Sequence, residues 1–157
     1  MKIRALALFV ALALPLGAAN ATDTKANKQV VADFIASWGD HDIDKTLSYV
    51  SEDCFYHNIP LDPIKGKATM RKFLEPFFGK TGFSAPFSLK PEILHVVAQG
   101  DLVFQERIDH YAIGNSHYDI PDVGVYEVRA GKIAVWKDYF DMGQFQPVVL
   151  LMQALQK

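Results

Sequence analysis

Arg107 and Asp109 stand two residues apart in Glu106-Arg107-Ile108-Asp109, so on an extended strand both side chains leave the same face. Tyr56 and Asn58 repeat that spacing, and Asp138 alternates with Trp136 and Phe140 in Val135-Trp136-Lys137-Asp138-Tyr139-Phe140. A carboxylate flanked by two large aromatics on one face has to be paired, hydrogen-bonded or protonated. Arg107 is the candidate partner, because a guanidinium is a planar fork of donors that can hold two carboxylates at once. Set between Asp109 and Asp138, it lowers the carboxyl pKa values while desolvation and the second carboxylate raise them. A pair sharing one proton then supplies one acid and one base in one pocket. Such a pocket can add water across a strained electrophile without a metal. In that chemistry Tyr56 and Asn58 orient the water, Asp138 takes its proton, and Asp109 protonates the leaving oxygen. The same residues also read as a buried Asp–Arg–Asp network that only ties strands together. Spacing leaves both readings open.

The elements that would position these groups follow from the hydrophobic period. Helical spacing runs over 28–38, where apolar residues fall at 30, 31, 34, 35 and 38, and a second short helix fits 43–50. The aromatic segment 53–59 reads as a strand ended by Pro60. A third helix fits 68–78, with Met70, Phe73, Leu74 and Phe77 on one face, and 79–86 reads as a loop and flap from its glycines and proline. From Phe87 the period becomes that of strands, over 87–98, 102–113, 118–129 and 132–141. Gln99-Gly100-Asp101 and Ala130-Gly131 supply tight turns. A final apolar helix is expected over 144–155, with Pro147 in its first turn. Leu150, Leu151, Met152 and Leu155 fit core packing, a dimer face or the roof of a pocket. Helices followed by a meander of long strands define an α+β domain.

Residues 1–21 read as a signal peptide. Lys2 and Arg4 precede ten uninterrupted apolar residues, and Ala19-Asn20-Ala21 is a cleavage motif. The apolar run is shorter than the roughly 20 residues a bilayer span needs. Cleavage after Ala21 leaves a single domain over 22–157 and moves the net charge from −2 to −4. The expected location is therefore the periplasm or the exterior, with no membrane attachment of the mature chain. With no basic surplus, nucleic acid is excluded as a partner class. The lone Cys54 excludes a disulfide framework and reads as a small buried residue. The 11 Phe, 6 Tyr and 2 Trp supply material for an apolar cavity. His41, His57, His95, His110 and His117 show no ligand spacing, so neither a metal nor another cofactor is expected; His57 and His110 are expected to face outward.

Three segments together resemble the limonene-1,2-epoxide hydrolase family, within the SnoaL-like or NTF2-like superfamily. They are Tyr56-His57-Asn58-Ile59-Pro60-Leu61 with Pro63 and Gly66, Glu106-Arg107-Ile108-Asp109, and Gly124-Val125-Tyr126-Glu127-Val128 running through Gly131-Lys132-Ile133 to Trp136-Lys137-Asp138-Tyr139-Phe140-Asp141. The resemblance implies a curved mixed β-sheet forming a cone with helices packed on it, commonly as a homodimer. It also implies one-step opening of an epoxide to a vicinal diol, with no cofactor. Carried over by position, Asp109 is the acid, Asp138 the base aided by Tyr56 and Asn58, and Arg107 the bridge. The substrate expected is an apolar, cyclic or terpenoid-like epoxide. Two other functions fit the chain: an isomerase or cyclase of the same superfamily, which would not need an arginine between two carboxylates, and a non-catalytic binder of a hydrophobic small molecule.

Overall fold

The computed structural model describes residues 21–78 and 86–155. The leader up to residue 20 and the flap over 79–85 lie outside the described residues.

Three α-helices lie before residue 87, two ahead of the first strand and the third after the second strand. Helix α1 (Ala21–Ala36) buries Val31, Phe34 and Ile35, and its continuation tightens to a 3-10 turn over Ser37–Asp40. Trp38 therefore belongs to the 3-10 turn and not to the helix expected over 28–38. Helix α2 (Ile43–Ser48) is capped by the Asp42 side chain, which accepts from the backbone N–H groups of Asp44 at 3.0 Å and Lys45 at 3.1 Å. It ends before Val50, because Val50 already pairs with Ile133 as the first residue of β1 (Val50–Ile59). Helix α3 (Lys67–Phe78) turns Met70, Leu74 and Phe78 into the core at the four-residue repeat of one helix face.

The sheet has six strands in the order β2-β1-β6-β5-β4-β3, with β2 (Ile64–Lys65), β3 (Phe87–Gln99), β4 (Leu102–Ile113), β5 (Ser116–Arg129) and β6 (Lys132–Phe140). Strands β3 to β6 form the expected antiparallel meander. Strand β1 is added beside β6 in parallel, which makes the sheet mixed as the family resemblance implied. Ala130 and Gly131 both take positive φ (49° and 72°), the backbone that a tight hairpin between β5 and β6 demands. One extra residue, Leu94, breaks the β3–β4 register, and another, Ala134, breaks that of β5–β6. Such bulges bend strands and help curve an open sheet around its inner face. Pro91 is tolerated because β3 is an edge strand.

Helix α4 (Met142–Leu155) closes the chain. Asp141 ends no strand; its Oδ1 accepts from Gly143 N at 2.7 Å at the start of this helix. The helix thus begins two residues before the expected start, and Pro147 is its sixth residue rather than part of its first turn. Met152 is buried, Leu151 and Leu155 pack partly against the core, and Leu150 is exposed. Cys54 is fully buried, and burial pushes its thiol up to about 12, as expected of a structural residue. On the concave side, Trp136 is the hub of the core. Tyr56 lies 4.1 Å from it, Phe34 5.0 Å and Trp38 5.8 Å, measured between ring centroids.

Candidate active site

Strand β4 alternates without a break, burying Val103, Gln105, Arg107, Asp109, Tyr111 and Ile113 on the concave face. Beyond its bulge, strand β6 buries Trp136 and Asp138 on the same face. The parallel β1–β6 register sets Tyr56 beside Trp136 and Asn58 beside Asp138. All five residues singled out in the sequence line one cavity of about 240 Å³. Its walls are mostly apolar, with Phe73 and Phe77 from α3 and Phe145, Val149 and Met152 from α4. The final helix therefore supplies part of the pocket wall.

Arg107 is the centre of the polar floor. Its Nε donates to Asp109 Oδ1 at 2.9 Å and its Nη2 to Asp109 Oδ2 at 3.2 Å, a bidentate fork. Its Nη1 donates to Asp138 Oδ1 at 3.2 Å and to the Tyr126 hydroxyl at 3.2 Å. The expected bridge between two aspartates is present, with both aspartates and the arginine buried. Trp136 Nε1 adds a 2.7 Å hydrogen bond to the same Asp138 Oδ1. Asn58, which lines this cavity beside Asp138, contributes a buried side-chain oxygen with no protein partner.

The electrostatics follow from one cation among several buried acids. Burial works against the Arg107 charge, but Asp138, Tyr126, Asp109 and Asp122 outweigh it and hold the guanidinium protonated well above its usual range. Burial raises the Asp138 pKa; Arg107 pulls it back down and Asp109 pushes it up. Burial likewise keeps the Tyr56, Tyr111 and Tyr126 hydroxyls protonated.

Four contributions escaped sequence reasoning. Asp122 is a third buried carboxyl group in the cavity, 3.1 Å from Arg107 Nη1. Its signal was parity: Ile120, Gly124, Tyr126 and Val128 are inward on β5, and Asp122 falls in the same series. The Tyr126 hydroxyl and Trp136 Nε1 steady Arg107 and Asp138, and neither aromatic announced its polar end. Gly124 makes room for the first of these, since a Cβ there would meet Tyr126 ring carbons at 2.6 and 2.7 Å. Gly124→Ala is therefore expected to displace Tyr126 from Arg107 and cost about 1–3 kcal/mol of stability, the range for an overpacked site. Urea unfolding checks this, and unchanged stability would mean that Tyr126 moves aside without loss.

The histidines stay apart from the site. His110 bridges Asp119 at 2.7 Å and Glu92 at 3.0 Å on the outer face, and His57 sits between the inward positions of β1. Among the described residues, no group of three or more His, Cys, Asp or Glu is placed to hold a metal ion. No described helix is long and apolar enough to cross a membrane.

Comparison with known proteins gives concordant results. The family model of the limonene-1,2-epoxide hydrolase catalytic domain matches residues 25–150. The epoxide hydrolase EphG of Mycobacterium tuberculosis is 30% identical over 109 residues, which are 69% of each chain. The solved structure of an M. tuberculosis LEH-like epoxide hydrolase superposes with a TM-score of 0.69 at 25% identity, over 83% of this chain and 94% of that one. The fold also matches SalBIII, an epoxide hydrolase/cyclase-like enzyme of pyran ring formation in salinomycin, with a TM-score of 0.67 at 18% identity over 78% of this chain and 95% of that one.

Proposed function

Because this chain belongs to the limonene-1,2-epoxide hydrolase family, we propose that it opens an apolar epoxide to a vicinal diol in one step, without a cofactor. The observation that carries the reading is Arg107 held between Asp109 and Asp138 at the floor of an apolar cavity that Tyr56 and Asn58 also line. A water held by Asn58 and Tyr56 gives its proton to Asp138 as its oxygen attacks a ring carbon. The ring oxygen takes a proton from an acid of the Arg107 cluster, the part that position in the family gives to Asp109. Arg107 stabilises whichever carboxylate is charged at each stage.

The apolar walls support a compact hydrophobic substrate, since about 240 Å³ is slightly under the usual range for small-molecule sites. Export of the chain belongs to the same proposal, on the strength of the leader. The test is a panel of cyclic and terpenoid-like epoxides in ¹⁸O-water. Diol carrying one labelled oxygen is expected. Absence of turnover on every epoxide, with deuterium exchange into a ketone instead, would move the assignment to an isomerase or cyclase.

A further inference from the structure

Asp122 lies on β5, the strand that separates Asp109 on β4 from Asp138 on β6. Its pairing partners are Arg107 on one side and Phe140 on the other. The side chain is 4% exposed and lines the cavity, so what exposure it has faces the substrate space. Its Oδ1 is 3.1 Å from Arg107 Nη1 yet makes no hydrogen bond. The reason is stoichiometric: Nη1 has two hydrogens, and these go to Asp138 and Tyr126. Asp109 is the opposite case, with both oxygens accepting from the guanidinium. One cation cannot neutralise three buried carboxylates, and the group left without a donated hydrogen bond is the one best served by a proton of its own.

We propose, building on the epoxide-hydrolase reading, that Asp122 is a second acid of the site and donates its proton to the oxirane oxygen as the ring opens. The step balances within the pocket. Water oxygen bonds to the ring carbon, the carbon–oxygen bond breaks, the Asp122 proton ends on the new hydroxyl, and the second water proton ends on Asp138. Asp138 is left neutral and Asp122 charged, so return of one proton between them resets the site.

The groups facing Asp122 are Arg107, Asp109 and Tyr111 on β4, Tyr126 on β5, Asp138 on β6 and Tyr56 on β1. Burial, then repulsion from Asp138, raises its pKa from 3.8 to about 9 against the pull of Arg107. The acid form is therefore the one present at neutral pH.

Two measurements on the full chain test the assignment. Carbon-13 NMR of aspartate-labelled protein, with Asp122→Asn to identify the signal, should show a protonated Asp122 carboxyl at neutral pH that titrates near 9. On any epoxide the wild type opens, Asp122→Asn should lower kcat about a hundredfold, the low end of a general acid's contribution, with little change in KM. It should also lose the alkaline limb of the pH profile, while Asp122→Glu keeps a limb and recovers part of the rate. The thermal midpoint of each variant confirms that it is folded. An Asp122 carboxyl ionised at neutral pH overturns the proposal, as does an Asp122→Asn variant with wild-type kcat and an unchanged alkaline limb. A wild type inert toward every epoxide instead sinks the epoxide reading, and with it the oxirane as proton acceptor.

Discussion

Asp138→Asn is expected to lower kcat on an epoxide by about three orders of magnitude, within the range a positioned general base contributes, while the protein stays folded. The hydrogen bonds from Trp136 and Arg107 both end on Oδ1. Oδ2 is thus the oxygen left to take a proton from water. Asparagine keeps a carbonyl oxygen for Trp136 and Arg107 but replaces Oδ2 by an amide, which donates and cannot accept a proton. Because burial disfavours the Asp138 charge, a neutral amide there relieves desolvation and should leave the thermal midpoint close to that of the wild type. The pH profile gives a second check. The base form is lost as pH falls through a pKa lying above the ordinary carboxylate range, so the acidic limb of kcat/KM should sit correspondingly high. A variant retaining more than about a tenth of wild-type kcat would remove Asp138 from the role of base, since even weak general bases contribute about a hundredfold.

The parts of this site that were legible in the sequence are those fixed by strand parity. Arg107 with Asp109, and Trp136 with Asp138, share a face because the strand period is local and needs no knowledge of neighbours. The helices over α3 and α4 were legible for the same reason, through their own period. What parity cannot give is adjacency between strands. The sequence does not say that β1 returns beside β6 in parallel, yet that pairing alone brings Asn58 level with Asp138. Element ends were also set from outside. Val50 left its helix because Ile133 offers it a strand partner, and Trp38 tightened into a 3-10 turn where it packs against Trp136. Asp122 was missed for want of the same adjacency. Its parity was readable within the strand expected over 118–129, but nothing in that strand says that Arg107 lies beside it on β4. The close approach of Tyr126 to Gly124 depends on a side-chain conformation that no local pattern encodes.

Arg107→Met should be the most destabilising change in the cavity, and its effect should depend on pH. Methionine fills much of the space but leaves Asp109, Asp122 and Asp138 with no cation. Removing one partner of a buried ion pair costs about 3–5 kcal/mol. The sign of the pH dependence comes from the raised carboxyl groups. Asp122 moves from 3.8 to about 9 on folding even with Arg107 present, so its contribution is complete below about pH 4 and is lost as pH climbs toward 9. Each unit of that climb removes up to about 1.4 kcal/mol. Asp138 shifts in the same direction, and both are pushed further once the guanidinium no longer pulls them down. The variant should therefore lie furthest below the wild type at neutral and alkaline pH. It should regain much of the difference near pH 5, where Asp122 keeps its proton and needs no cation. Urea unfolding of both proteins at the two pH values measures this. A deficit of equal size at both would mean that Arg107 acts through packing rather than charge. Turnover should be absent at both pH values, because an Asp138 whose pKa is raised still further without Arg107 is held protonated and no longer serves as base.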